Sequence, residues 1–106
     1  MKLTSKLSIE DTNRFIHWTE DNKLDMHDIN LLDDFLGDLG FKLEPSWTSS
    51  QWIYDYGDED EVDVWYNSES QKWAITLRTW SDNIDEYKVW KKYFESITDL
   101  INFIKE

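Results

Sequence analysis

The period of the apolar residues changes once along this chain, at Gly40, and that change constrains the fold more than any other feature. Before it, apolar side chains recur about every 3.6 residues, the spacing of one helix face. Ile9, Thr12, Phe15, Ile16 and Thr19 mark a first helix; Ile29, Leu32, Phe35, Leu36 and Leu39 mark a second. From Phe41 onward the period is two. Phe41–Leu43, Gln51–Tyr56, Val62–Tyr66, Trp73–Trp80 and Tyr87–Phe94 are rich in β-branched and aromatic residues, which suit a pleated surface. Helices first and strands afterwards make an α+β domain, with the helices packed on one face of an antiparallel sheet.

Local signals set the limits of these elements. Ser8 with Asp11, Asp25 with Asp28 and Ser96 with Asp99 have capping-box spacing at three helix starts. Glu20–Lys23 reads as the turn closing the first helix, and Gly40 as the left-handed residue closing the second. Asn67–Gln71 and Ser81–Glu86 read as hairpin loops. Ile97, Leu100, Ile101 and Ile104 give a short amphipathic helix at the end. Along the fourth of the strand-like segments, Trp73, Ile75 and Leu77 face one side and Ala74, Thr76 and Arg78 the other. The predicted order is ααββββα: two N-terminal helices, a four-stranded antiparallel meander and a C-terminal helix, in one domain spanning residues 1–106.

A chain of 106 residues that is 40% apolar and 16% aromatic, with seven Trp, has ample material for a core. It contains no Cys, so disulfide frameworks and thiolate metal sites are excluded, and a reducing cytosol suits it. Residues 1–7 lack the apolar run of a signal peptide, and no window approaches a membrane span. The expectation is a cytoplasmic protein without membrane contact.

Charge is distributed very unevenly. Residues 1–70 hold 17 Asp/Glu against 5 Lys/Arg, whereas residues 71–106 hold 6 of each. The densest run is Asp55, Asp58, Glu59, Asp60, Glu61 and Asp63. Such a surface repels nucleic acid and anionic membrane and attracts basic protein grooves. The plain alternative is a solvated loop that maintains solubility. Calcium binding fits poorly, because Gly57 precedes Asp58-Glu59-Asp60 instead of following alternating ligands. On the second helix, Asp33, Asp34 and Asp38 lie toward the negative end of the dipole, where acids are mildly unfavourable. Helix stability does not explain them, and they join the candidate binding residues. Trp52, Tyr56 and Trp65 are candidate aromatic anchors, since Trp and Tyr are enriched at interfaces.

Catalytic signals are weak. His17 and His27 belong to no ligand-spaced cluster, and neither a phosphate loop nor a nucleophile–base motif is present. Asp82 followed by Glu86-Tyr87-Lys88 matches a short acid-then-ExK pattern of some metal-dependent nucleases, a surface that would require the opposite charge. The reading is of a non-enzyme, with no catalytic residue, metal or cofactor.

In size, acidity, lack of Cys and aromatic richness, the chain resembles the small acidic inhibitors made by phages and mobile elements: anti-CRISPR, anti-restriction and DNA-glycosylase-inhibitor proteins. The resemblance implies a stoichiometric inhibitor that mimics nucleic acid or blocks the basic channel of an enzyme such as a Cas effector or restriction enzyme. It would bind that protein and no nucleic acid directly. The alternatives are an immunity protein or antitoxin that neutralises a basic toxin nuclease, and a generic protein-interaction module.

Overall fold

A computed structural model of the chain describes residues 7–55 and 60–106. Its elements run α1 (Ile9–Asp21), α2 (Met26–Leu39), β1 (Lys42–Glu44), β2 (Gln51–Asp55), β3 (Asp60–Asn67), β4 (Lys72–Ser81), β5 (Glu86–Phe94) and α3 (Ile97–Lys105). The α+β class and the order of helices and strands are as expected, but the sheet has five strands instead of four. The additional strand is β1, held by the pairs Lys42↔Ile53, Leu43↔Trp52 and Glu44↔Gln51. It overlaps the strand-like segment Phe41–Leu43, which is too short to count as a strand until β2 pairs with it.

Capping holds the helix ends where the sequence placed them. The Asp11 N–H donates to Ser8 Oγ at 3.1 Å, the His27 N–H to Asp25 Oδ1 at 2.8 Å, and the Asp99 N–H to Ser96 Oγ at 3.1 Å. α1 and α2 both close through a left-handed residue, Lys23 at φ 56° and Gly40 at φ 102°. In each, the following N–H reaches back to a carbonyl five residues earlier at 3.0 Å: Leu24 to Thr19 and Phe41 to Leu36.

The face that α1 buries includes Phe15 and Thr19 as expected, but it is shifted toward Trp18 and away from Ile9. Ile9 is 84% exposed, whereas Phe15, Trp18 and Thr19 are buried. The ring centroids of Phe15 and Trp18 lie 5.7 Å apart, and Phe15 meets Trp52 edge-on at 6.0 Å. Burying two large aromatics outweighs burying one isoleucine in the first turn, and the helix is rotated accordingly.

The sheet is an antiparallel meander in sequence order, β1-β2-β3-β4-β5. Side chains alternate between its faces. One face sends Trp52, Val62, Val64, Trp73, Ile75 and Phe94 into a cluster with Phe15, Trp18, Ile29, Leu32, Leu36 and Leu100 from the helices. The three helices of the described residues put their buried residues there, so among the described residues no helix covers the opposite face. α2 contacts β1 and α3, and α3 contacts β4 and β5. Among the described residues, no helix is long and apolar enough to cross a membrane.

Candidate functional site

Because the strands keep their sequence order, the charge gradient along the chain becomes a gradient across the sheet. β1, β2 and β3 together carry five Asp/Glu and one Lys, whereas β4 and β5 carry five Lys/Arg and one Glu. Residues 8–40, which include α1 and α2, add nine Asp/Glu against two Lys/Arg. α2 lies beside β1, so the acid-rich helices sit toward the acid-rich end of the sheet.

On α2, the three candidate carboxylates have two different positions. Asp34 and Asp38 are exposed, on the side away from buried Ile29, Leu32 and Leu36. Asp33 is half-buried, and its Oδ1 accepts the Trp52 indole N–H at 2.9 Å. Trp52 itself is 0% exposed, which removes it from the candidate anchors. Its position on β2 faces the helices, where its ring packs against Phe15 and Trp73 at 6.0 Å each. Asp33 thus satisfies an indole that would otherwise be a buried donor without a partner.

The described carboxylates of the 55–63 run do not all lie on one face. Alternation from buried Val62 and Val64 sends Glu61, Asp63 and Trp65 to the open face, with Asp55 opposite Glu61 in the register. Asp60 points to the helix side and accepts a hydrogen bond from Thr79 Oγ1 at 2.7 Å. Tyr56, Asp58 and Glu59 lie outside the described residues. On the open face the Arg78 guanidinium bridges two acids: it pairs with Glu61, and its Nη2 lies 3.3 Å from Asp63 Oδ2.

Asp63 is an unusual member of this cluster. It is 7% exposed, and no described residue hydrogen-bonds its Oδ1. Burial pushes its carboxyl up to about 6, reinforced by the charge of Glu61 and opposed by Arg78. The expectation of a free surface acid at this position is therefore corrected: Asp63 is a buried, paired group.

Trp65 is half-buried on the open face, where its indole N–H donates to Thr76 Oγ1 at 2.8 Å. Tyr93 meets it edge-on at 6.1 Å and the Lys91 ammonium lies 6.0 Å from its ring. Trp80 and Tyr87 form a second edge-on pair at 5.1 Å. Ala74 at 0% and Thr76 at 6% exposure are buried on a face that no helix among the described residues covers, and Trp65 and Tyr93 lie over them. Of the three proposed anchors, Trp65 alone is both described and accessible.

Two further features had no counterpart in the sequence reading. The first is the Arg78 clamp, which depends on the β3–β4 register pairing Glu61 with Arg78 and Asp63 with Thr76. Opposite charges at strand spacing hint at such a clamp, but only a known register assigns the partners. The second is an apolar pocket of about 400 Å³ on the helix side of the sheet, lined by Leu39, Phe41, Tyr54, Leu77, Trp90 and Ile104 among others. It lies between the end of α2 and the end of α3. The expected apolar stripe of α2 included Leu39, and its 45% exposure reflects this opening.

The groups weighed for chemistry are dispersed. His17 packs edge-on against Trp47 at 5.1 Å, and His27 lies 3.9 Å from Asp28. Asp82 accepts the Trp80 indole N–H at 2.9 Å, in the turn preceding Glu86 and Lys88. Among the described residues, no group of three His, Asp or Glu side chains is placed to hold a metal ion. No family model, curated protein or solved structure matches the chain.

Proposed function

We propose that this protein is a stoichiometric, non-catalytic binder of a basic partner, and that the acidic outer surface of α1 and α2 is its contact face. The observation that carries this reading is the excess of nine carboxylates over two bases in residues 8–40, with Glu10, Glu20, Asp28, Asp34 and Asp38 exposed. Asp34 and Asp38 are four residues apart on one helix, which sets their Cβ atoms about 5–6 Å apart. That spacing is comparable to the separation of phosphates along a nucleic-acid strand. The target class that fits is the nucleic-acid groove of an enzyme such as a Cas effector or a restriction enzyme, met in the cytosol.

Steering by such a face accelerates encounter and weakens as salt rises. Glu61 and Asp63 contribute less than their formal charge implies, because Arg78 lies beside both. Capture of partners on the immobilised chain, with duplex DNA added as competitor, tests the reading. The expected partner is a nucleic-acid-binding protein that DNA displaces. A partner retained equally with and without DNA would contradict groove binding. An immunity protein acting on a basic toxin nuclease would share this face, and the identity of the captured protein separates the two.

A further inference from the structure

The two edges of the sheet are finished differently. β1, at one edge, is three residues long, a common way to keep an edge from pairing. β5, at the other, is nine residues long and pairs with β4 continuously from Ser81↔Glu86 to Trp73↔Phe94, with no bulge and no Pro. Every residue of β5 except Phe94 is exposed, including Tyr87 at 50%, Val89 at 53% and Trp90 at 46%. An edge this long and regular, with exposed Tyr87, Val89 and Trp90 between its charges, is a template for another strand.

We propose that the occupant is β5 of a second copy, paired antiparallel with Val89 on the two-fold axis. The choice of partner and register comes from charge. Two copies related by a two-fold axis keep the same face of each strand on the same side, so residues pair when their numbers sum to an even value. Among such registers joining at least five residues of β5, those centred on residue 88, 90, 91 or 92 set a Lys opposite a Lys. They pair Lys88 with itself, Lys88 with Lys92, Lys91 with itself and Lys92 with itself. Like charges directly opposite are destabilising.

The register centred on Val89 has no such clash. It sets Glu86 opposite Lys92 twice, Tyr87 opposite Lys91 twice and Lys88 opposite Trp90 twice, with Val89 meeting its own copy. Every pair is an ion pair, a cation beside an aromatic ring or an apolar contact. Lysines on an edge strand commonly guard against pairing; here they are spaced so that one register satisfies them all. The acid-rich helices lie toward the opposite edge, away from this contact. The dimer is independent of the proposed partner-binding role.

Sedimentation velocity of the full chain over a wide concentration range tests the proposal. The expected result is a reversible monomer–dimer equilibrium. Glu86→Lys and Lys92→Glu should each weaken the dimer by about tenfold, and the double variant should restore it. The chain has no Cys, so Val89→Cys should give a covalent dimer on mild oxidation, whereas Tyr93→Cys, well away from the axis, should not. A chain that stays monomeric, or that grows into ever larger species, overturns the proposal. So does a dimer indifferent to the charge reversals or cross-linked through residue 93 and not 89.

Discussion

The indole N–H of Trp52 donates to Asp33 Oδ1 across 2.9 Å, joining the second strand to the second helix. An acid that looks like surplus charge on α2 is in fact half of a structural contact. Asp33→Ala should therefore destabilise the fold by about 1–3 kcal/mol, the cost of leaving a buried donor unsatisfied. Asp33→Asn, which keeps an acceptor oxygen, should recover most of that loss. Urea denaturation of the three proteins checks the order; equal stability of all three would show that the contact contributes nothing.

The two glycines near the end of α2 should respond in opposite directions to the same substitution. Gly40 has φ 102°, and a Cβ there would meet the Tyr54 ring at 3.0 Å, so Gly40→Ala should cost about 1–2 kcal/mol or more. Gly37 lies inside the helix with nothing within 4 Å of a built Cβ. Gly37→Ala should stabilise by about 0.5–1 kcal/mol. Thermal unfolding of both variants decides, and a shift of the same sign in each would contradict the geometry.

Asp63 makes stability depend on pH in an uncommon sense. Its carboxyl is raised from 3.8 to about 6 in the folded protein, so folding favours the protonated form. The folded state then binds more protons than the unfolded state between those values, and its contribution is lost as pH rises from about 4 through 6. The full shift corresponds to roughly 3 kcal/mol, with the opposing effect of Arg78 already included. Asp63→Asn should remove this dependence and raise stability at pH 7 while changing little near pH 4. A variant less stable than the parent at pH 7 would mean that the Arg78 pair outweighs the burial.

The core makes the simplest prediction. Leu32 and Leu36 are both 0% exposed between α2 and the sheet. Leu36→Ala should cost about 2–5 kcal/mol. Leu31→Ala, at a position 52% exposed on the same helix, should cost far less. Chemical denaturation of the pair measures the contrast.

Much of the architecture was legible because it depends on local chemistry. Ser8, Asp25 and Ser96 cap the helices they were expected to cap, Gly40 ends α2, and the alternation of Trp73 and Ile75 against Ala74 and Thr76 runs as read. What was not legible depends on contacts between distant residues. Glu61 and Asp63 meet Arg78 only because of one strand register, and a one-residue slip would put them on the other face. Trp52 was read as an anchor because an aromatic beside acids has the composition of an interface; its side of the strand decides otherwise. The segment Phe41–Leu43 has strand-like residues, but at three residues only its pairing with β2 makes it a fifth strand. Charge density in the sequence likewise pointed to residues 55–63, whereas folding sets Arg78 beside Glu61 and Asp63 of that run.

The central claim is that carboxylates on the outer face of the helical pair drive association with a basic partner. Replacing Asp28, Asp34 and Asp38 together by Asn tests it without disturbing Asp33. The measurement is the association rate of the captured partner as a function of salt concentration. The expected result is a slower rate at low salt and a shallower salt dependence for the variant, with circular dichroism unchanged. An association rate and salt slope equal to those of the parent chain would contradict it.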